Sequence, residues 1–279
     1  MMDRTGELWR FSDSNPRRGS AVNELEVRDL PLLEYDPSPA VIEPRSVMES
    51  TALFPERLVM CFFAEQIRSL VESGLARPLA VFGSEVGPNP VYTIDQEGCP
   101  IALVQPGVGA PFSAAVLDEA IACGARKVIV CGGGGVLDRE IAVGHLLVLA
   151  DAVRDEGTSY HYLPPSRRAA AHPAAIGALE GVLERRSIPY LRATAWTTDA
   201  FYRETPAKVR LRREEGCLCV EMEASALFAV AQFRGIVLGQ LLYAGDDVSG
   251  LDWDTRDWKG RHDARAHVLQ LALEACRSL

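Results

Sequence analysis

Residues 101–135 read IALVQPGVGAPFSAAVLDEAIACGARKVIVCGGGG, and this stretch decides the fold. Ile101-Ala102-Leu103-Val104 is an apolar strand. The turn Gln105-Pro106-Gly107-Val108-Gly109 follows it, Ala110-Pro111 opens a helix that runs to about Ala122, and Gly124 closes that helix. Lys127-Val128-Ile129-Val130-Cys131 is a second apolar strand, ending in a turn Gly132-Gly133-Gly134-Gly135. Strands without polar alternation, joined through a helix, belong to a sheet covered on both faces.

Outward from this unit the alternation continues. On the N-terminal side Arg57-Leu58-Val59-Met60-Cys61-Phe62-Phe63 is a buried strand leading into a helix through Ile67, Leu70 and Val71, stopped by Gly74. Leu79-Ala80-Val81-Phe82 is the next strand, and Val91-Tyr92-Thr93-Ile94 pairs across Asp95-Gln96-Glu97-Gly98 with residues 101–104 as a hairpin. On the C-terminal side strands are expected at 146–149, 190–195 and 236–243, with helices near 168–185, 223–233 and 263–277. The expected fold class is α/β, a three-layer α/β/α sandwich around a mixed, largely buried central sheet. One domain is expected over residues 23–279, after a flexible polar tail at 1–22. A Pro-rich approach (Pro31, Pro37, Pro39, Pro44) carries Ala40-Val41-Ile42 as a short strand.

Composition narrows the function. With 279 residues, 48% hydrophobic and 24% charged, the chain supports a sizeable core, which excludes a disordered, collagen-like or disulfide-scaffold protein. A net charge of -9 repels a nucleic-acid backbone, so no nucleic-acid partner is expected. No apolar run reaches the ~18 residues that span a bilayer, and the N-terminus lacks a signal-peptide core, so no membrane partner is expected either. The seven cysteines form no C-x-x-C and sit mostly in apolar stretches, where they read as reduced core residues. The histidines show no metal-ligand spacing. A cytoplasmic enzyme without metal is the expectation.

Five segments can carry chemistry. The two Gly-rich turns let backbone N–H groups approach an anion or a sugar, or are simply tight strand-end turns. Neither is G-x-G-x-x-G, because Pro111 and Phe112 follow Gly109, and neither is a Walker loop. In Val220-Glu221-Met222-Glu223-Ala224 a carboxylate in the first turn of a helix stays ionised and accepts both protons of a cis-diol; the alternative is a capping acid before a core methionine. In Tyr243-Ala244-Gly245-Asp246-Asp247 the two acids face opposite sides of a strand end. Their proximity and partial burial raise the pKa of one, which suits a general acid, or they form an Asx turn. Trp196-Thr197-Thr198-Asp199-Ala200-Phe201-Tyr202 offers rings beside hydroxyls to stack a base, or a core edge. The run Lys208-Val209-Arg210-Leu211-Arg212-Arg213 reads as a solvated face.

In this order the segments resemble the purine nucleoside and uridine phosphorylase family, which includes the methylthioadenosine and S-adenosylhomocysteine nucleosidases. The likeness covers about residues 40–278 and rests on the residue 220–224 motif, Gly107-Val108-Gly109-Ala110-Pro111 and Thr198-Asp199-Ala200-Phe201-Tyr202. It implies cleavage of a nucleoside N-glycosidic bond by phosphate, a co-substrate rather than a cofactor. The implied roles are Glu223 and Met222 on the ribose, Phe201 and Thr198 on the base, and Asp246 as the acid at the leaving base. It also implies a homo-oligomer (dimer, trimer or hexamer). Phosphate would rest on Arg45, Gly107 and Gly133, yet Val130 and Gly133 stand where the family's phosphorylases carry an arginine and a hydroxyl. Thr205 and Ala207 replace the uracil-reading glutamine and arginine, which speaks against uridine, whereas Asp246 favours a purine-type base. Two alternatives remain beside phosphorolysis. One is a nucleosidase that uses water, with Glu43 a candidate base; the other is a nucleoside-binding protein without turnover.

Overall fold

The computed structural model describes residues 25–48 and 54–279. The tail expected at 1–22 lies outside the described residues. In chain order the elements are α1 (Pro44–Val47), β1 (Arg57–Cys61), α2 (Ala64–Glu72), β2 (Ala76–Ser84), β3 (Gly87–Gln96), β4 (Cys99–Val104) and α3 (Ala110–Cys123). Then follow β5 (Lys127–Val136), β6 (Leu146–Asp155), β7 (Arg168–Ala170), α4 (Pro173–Arg185) and β8 (Tyr190–Thr198). The chain ends with α5 (Pro206–Glu214), β9 (Cys217–Glu221), α6 (Ala224–Arg234), β10 (Val237–Asp247) and α7 (His262–Ser278).

All ten strands join one mixed sheet with the path β10-β6-β8-β9-β5-β1-β4-β3-β2, β7 pairing with β6 at the side. Strand β10 also pairs with β5, so β10, β6, β8, β9 and β5 close on themselves, a feature the sequence pattern did not announce. The strands β1, β4, β5 and β10 run parallel, with Met60 level with Val104 and Cys61 with Cys131. The hairpin β3–β4 has the expected turn, Ile94 pairing with Ile101 and Gln96 with Cys99. Helix α3 packs on α6 and α4 on α7, and both pairs cover the sheet. The largest apolar cluster runs from Phe54 to Cys276. The mixed α/β architecture is the expected one.

Helix α3 shows why the residues 101–135 stretch was decisive. Gly109 precedes it at φ 94°, Pro111 sits in its first turn, and Gly124 ends it at φ 139°, donating its N–H to Ala120 and Ile121. Its apolar surface runs almost all round, so the helix is buried between neighbours.

Four expectations change. Ala40-Val41-Ile42 forms no strand; it bends on the surface, where prolines remove donors and no strand lies alongside, so the first strand is β1. The run Gly132-Gly133-Gly134-Gly135 is no turn but the interior of β5, which continues to Val136 against β10. Helix α4 starts only at Pro173, because residues 168–170 pair with β6. The 208–213 run belongs to α5, whose Arg212 is buried and bonded to Asp155 at 3.1 Å rather than solvated. All seven cysteines are unpaired and six are buried, in line with reduced core residues. Among the described residues no helix is long and apolar enough to cross a membrane, and no cluster of His, Cys, Asp or Glu is built to hold a metal ion.

Candidate active site

The turn after β4 and the strand–helix junction β9–α6 meet, although 114 residues separate the two groups that touch. Glu223 Oε1 accepts the Gly109 N–H at 2.6 Å. Glu223 is the residue before α6, yet its side chain makes no bond to that helix. The capping acid is Glu221 instead: its Oε2 accepts the N–H groups of Glu223 (2.8 Å) and Ala224 (2.7 Å), and its Oε1 the Thr197 hydroxyl. The motif therefore divides the two acids: Glu221 caps α6, and Glu223 is buried against the turn before α3. Met222 lies half-buried between them.

Burial pushes both carboxyls above the usual range. For Glu223 the charge of Glu221 adds to burial, and Asp199 adds further, against the opposing N–H bond from Gly109. Glu221, with three donors around it, is the better placed to carry charge. The expectation that the helix dipole keeps the Glu223 carboxylate ionised therefore changes: burial pushes Glu223 up to about 8 and Glu221 up to about 7, so Glu223 holds its proton more tightly. Positive charge developing on a pentose would draw that proton off.

Strand β8 ends in the loop 199–204. Thr198 is buried and its hydroxyl accepts the Ala200 N–H at 3.3 Å, so it shapes the start of the loop. Phe201 and Tyr202 lie ring to ring, 4.0 Å between centroids, and both are exposed. Asp199 is held by the Gly157 N–H at 2.9 Å, and this gives a role to residues 154–157. Arg154 fastens that segment through Ser159 and Ser166, Asp155 takes the Trp196 indole N–H at 2.9 Å, and Glu156 binds the Ser159 N–H and the Ser225 hydroxyl.

Asp246 and Asp247 do face different ways. Asp246 Oδ2 accepts the Trp253 indole N–H at 2.7 Å, and its Oδ1 would stand 3.3 Å from a Cβ placed on Gly135. Asp247 is buried and pairs with Arg256 at 2.8 Å. Burial alone would raise Asp247, but bonds from Ser249 and the Arg256 charge outweigh it and hold the carboxyl below its usual range. The pair was expected to raise one of its own members. The raised acid is Glu204, from the loop after β8, pushed up to about 7 by burial and by the charge of Asp246. The acids at the two ends of the loop 199–204 are thus coupled by charge, Asp199 raising Glu223 and Asp246 raising Glu204.

The phosphate ligands named from sequence do not come together. Arg45 lies in α1, lining a cleft of about 270 Å³ with Glu43, Asp118, Arg126 and Arg234, at the C-terminal end of α3. Gly107 lies at the other end of that 14-residue helix, about 20 Å away at 1.5 Å per residue. Arg45 follows no strand, since 40–42 bend on the surface and the first strand is β1; the residues that follow β1 are Phe62-Phe63. The glycines themselves admit rings. A Cβ on Gly107 would run into Phe112, one on Gly132 would stand 2.9 Å from Phe62, and one on Gly133 2.7 Å from Tyr243. Gly133 stays exposed on its other side. The nearby Arg265, whose Nε reaches Tyr243 Oη at 3.4 Å, is already paired with Glu65 at 2.8 Å.

Sequence reasoning passed over Glu204, Asp199, Trp253 and the three rings. Glu204 carried one usable signal, an acid three residues beyond the aromatic Phe201. The others are recognisable only through partners distant in the chain.

A model of the phosphorylase superfamily matches residues 56–276. Among curated relatives, a guanosine phosphorylase from Halorubrum lacusprofundi is 26% identical over 195 residues, 68% of this chain and 80% of its own. Among solved structures, a uridine phosphorylase from Vibrio fischeri superposes with a TM-score of 0.70 at 25% identity, covering 84% of this chain and 96% of that one. A purine nucleoside phosphorylase from Toxoplasma gondii shares the fold with a TM-score of 0.72 at 21% identity, over 86% and 97% of the two chains. The chain belongs to the phosphorylase superfamily.

Proposed function

We propose that this member of the phosphorylase superfamily cleaves the N-glycosidic bond of a nucleoside with a purine-type base, passing the pentose to phosphate. The observation that carries this reading is the bond from Gly109 to the buried Glu223, which brings a carboxyl from the β9–α6 junction to the Gly-rich turn before α3. Breaking the C–N bond builds positive charge on the pentose and negative charge on the base. A carboxyl on the sugar hydroxyls and an acid at the base stabilise both halves. Support for a purine comes from the acids Asp246 and Glu204, which suit a base with basic ring nitrogens, and from similarity to a guanosine phosphorylase. Similarity to uridine phosphorylases weighs the other way, and the base is part of the proposal.

A second reading puts water in place of phosphate. It draws on the rings packed against Gly107, Gly132 and Gly133 and on the remote place of Arg45, which leave an anion to be held by backbone dipoles. Exposed Val108, Phe201, Tyr202, Leu251 and Trp253 lie on the loops that carry the site, which supports a homo-oligomer that covers them. A cytoplasmic location accompanies the proposal. The test is base release from inosine, guanosine, adenosine, methylthioadenosine and uridine with and without phosphate. Phosphate-dependent release from purine nucleosides supports the first reading and phosphate-independent release the second. Binding without release refutes both.

A further inference from the structure

Arg234 ends α6, and its guanidinium ties three elements together. Nε meets Asp118 Oδ1 of α3 at 2.7 Å, and Nη1 meets Oε2 of Glu43, the residue before α1, at 3.1 Å. With Arg45 and Arg126 these side chains line the cleft of about 270 Å³ at the C-terminal ends of α3 and α6. The other oxygen of Asp118 takes the Tyr162 hydroxyl at 2.7 Å, and that of Glu43 the Ala40 N–H at 2.8 Å. Each carboxylate oxygen of the cleft therefore already has a donor. Arg126 sends Nη1 to the carbonyls of Ile121 and Ala125, at 2.8 and 2.6 Å, and so covers the negative end of α3. Among the described residues, Nη2 of Arg234, Nε and Nη2 of Arg126 and the whole Arg45 guanidinium make no hydrogen bond. The side-chain groups left over in the cleft are thus all N–H donors. Arg45 and Arg126 also form no ion pair among the described residues, on a chain whose net charge is -9.

We propose that this cleft is a second ligand site, which takes a phosphate group, either free or carried on a body no larger than a pentose. Guanidinium forks match the oxygens of a phosphate and keep their charge at any working pH. The volume is several times the ~30 Å³ share of one water, and falls just under the ~300–1,000 Å³ of pockets for drug-sized ligands. Pro44, Ile121 and Ala122 give an apolar wall for the body of an ester. The site goes beyond the nucleoside-cleaving reading and does not depend on it. It lies about 20 Å along α3 from Gly107, so its ligand is distinct from one held at the turn before α3. Helices α3 and α6 pack on each other, and their opposite ends carry the bond from Gly109 to Glu223, so the cleft closes the far end of the same helix pair.

The experiment titrates ribose 5-phosphate, inorganic phosphate and ribose into wild type, Arg45→Glu and Arg45→Lys by calorimetry, with thermal melting as the folding control. Arg45 is exposed, so both variants should melt like wild type. Wild type should bind ribose 5-phosphate and not ribose. Arg45→Glu should weaken that binding about tenfold or more, and Arg45→Lys by less, because an ammonium keeps the charge and loses the fork. Inorganic phosphate that binds as tightly as the ester, with the same dependence on Arg45, assigns the site to the free ion; an ester that binds more tightly assigns it to the ester. Binding that stays within about threefold in Arg45→Glu for both anions, or no binding to wild type up to about 10 mM, overturns the proposal. A crystal soaked in tungstate gives an independent check. An anion between Arg45 and Arg126 supports the site, and one found only at Gly107 or Gly133 overturns it.

Discussion

Glu223→Gln tests the pentose side of the site. One carboxyl oxygen is taken by the Gly109 N–H at 2.6 Å, and glutamine, with the same shape, keeps that bond through its amide oxygen. The other terminal atom changes from an oxygen that can accept, and can give up its proton, to an amide nitrogen that only donates. One pentose hydroxyl thereby loses its acceptor in a buried place, at a cost of about 1–3 kcal/mol. The charge that would oppose the developing oxocarbenium is lost as well, which brings the total to roughly 2–4 kcal/mol in the transition state. At 1.36 kcal/mol per decade, kcat/KM should fall about 30- to 1,000-fold. The assay is base release from a ribonucleoside and its 2′-deoxy counterpart, with thermal melting as the control. The fall should be larger for the ribonucleoside, so the variant discriminates less between the two sugars. Melting should be unchanged or raised at neutral pH, because burial lifts the Glu223 pKa and the wild-type protein loses stability as pH climbs through the raised value. A folded variant within threefold of wild type on both sugars would refute the assignment.

Asp246→Asn should lower the rate on purine nucleosides at least about tenfold, or ~1.4 kcal/mol, since asparagine keeps an acceptor for Trp253 but not the anionic partner of Glu204; an unchanged rate removes Asp246 from the reaction. Gly133→Ala should cost ~1–3 kcal/mol and lower the melting temperature by several degrees, because its Cβ would stand 2.7 Å from the buried Tyr243 ring; a melting point within a degree of wild type would mean that the ring yields freely. Asp247→Asn should destabilise by ~1–3 kcal/mol near neutral pH by removing the partner of Arg256. Because the Asp247 carboxyl is held below its usual range, its stabilisation is complete above pH ~4 and fades as pH falls through the lowered value. The gap between variant and wild type should close in acid, and a gap independent of pH in denaturant melts would contradict the pairing.

The sequence by itself determined the alternation of strands and helices, because apolar runs, Pro111 and the closing Gly124 act within a few residues of one another. It also pointed to residues 220–224 and to Asp246 as acids at strand ends, since local pattern places strand ends. It could not tell Glu221 from Glu223: which acid caps α6 and which reaches across to the turn before α3 depends on Gly109, 114 residues from Glu223. The glycines misled for the same reason. A glycine run looks like a turn when only its neighbours in the chain are visible, whereas Phe62 and Tyr243 fill the space that the missing side chains leave beside β5. Arg45 went wrong because a strand assigned from three apolar residues had no neighbour to pair with, and a strand exists only through its partners. The raised pKa of Glu204 likewise belongs to tertiary structure, for burial and the charge of Asp246 act through space and leave no trace in local sequence.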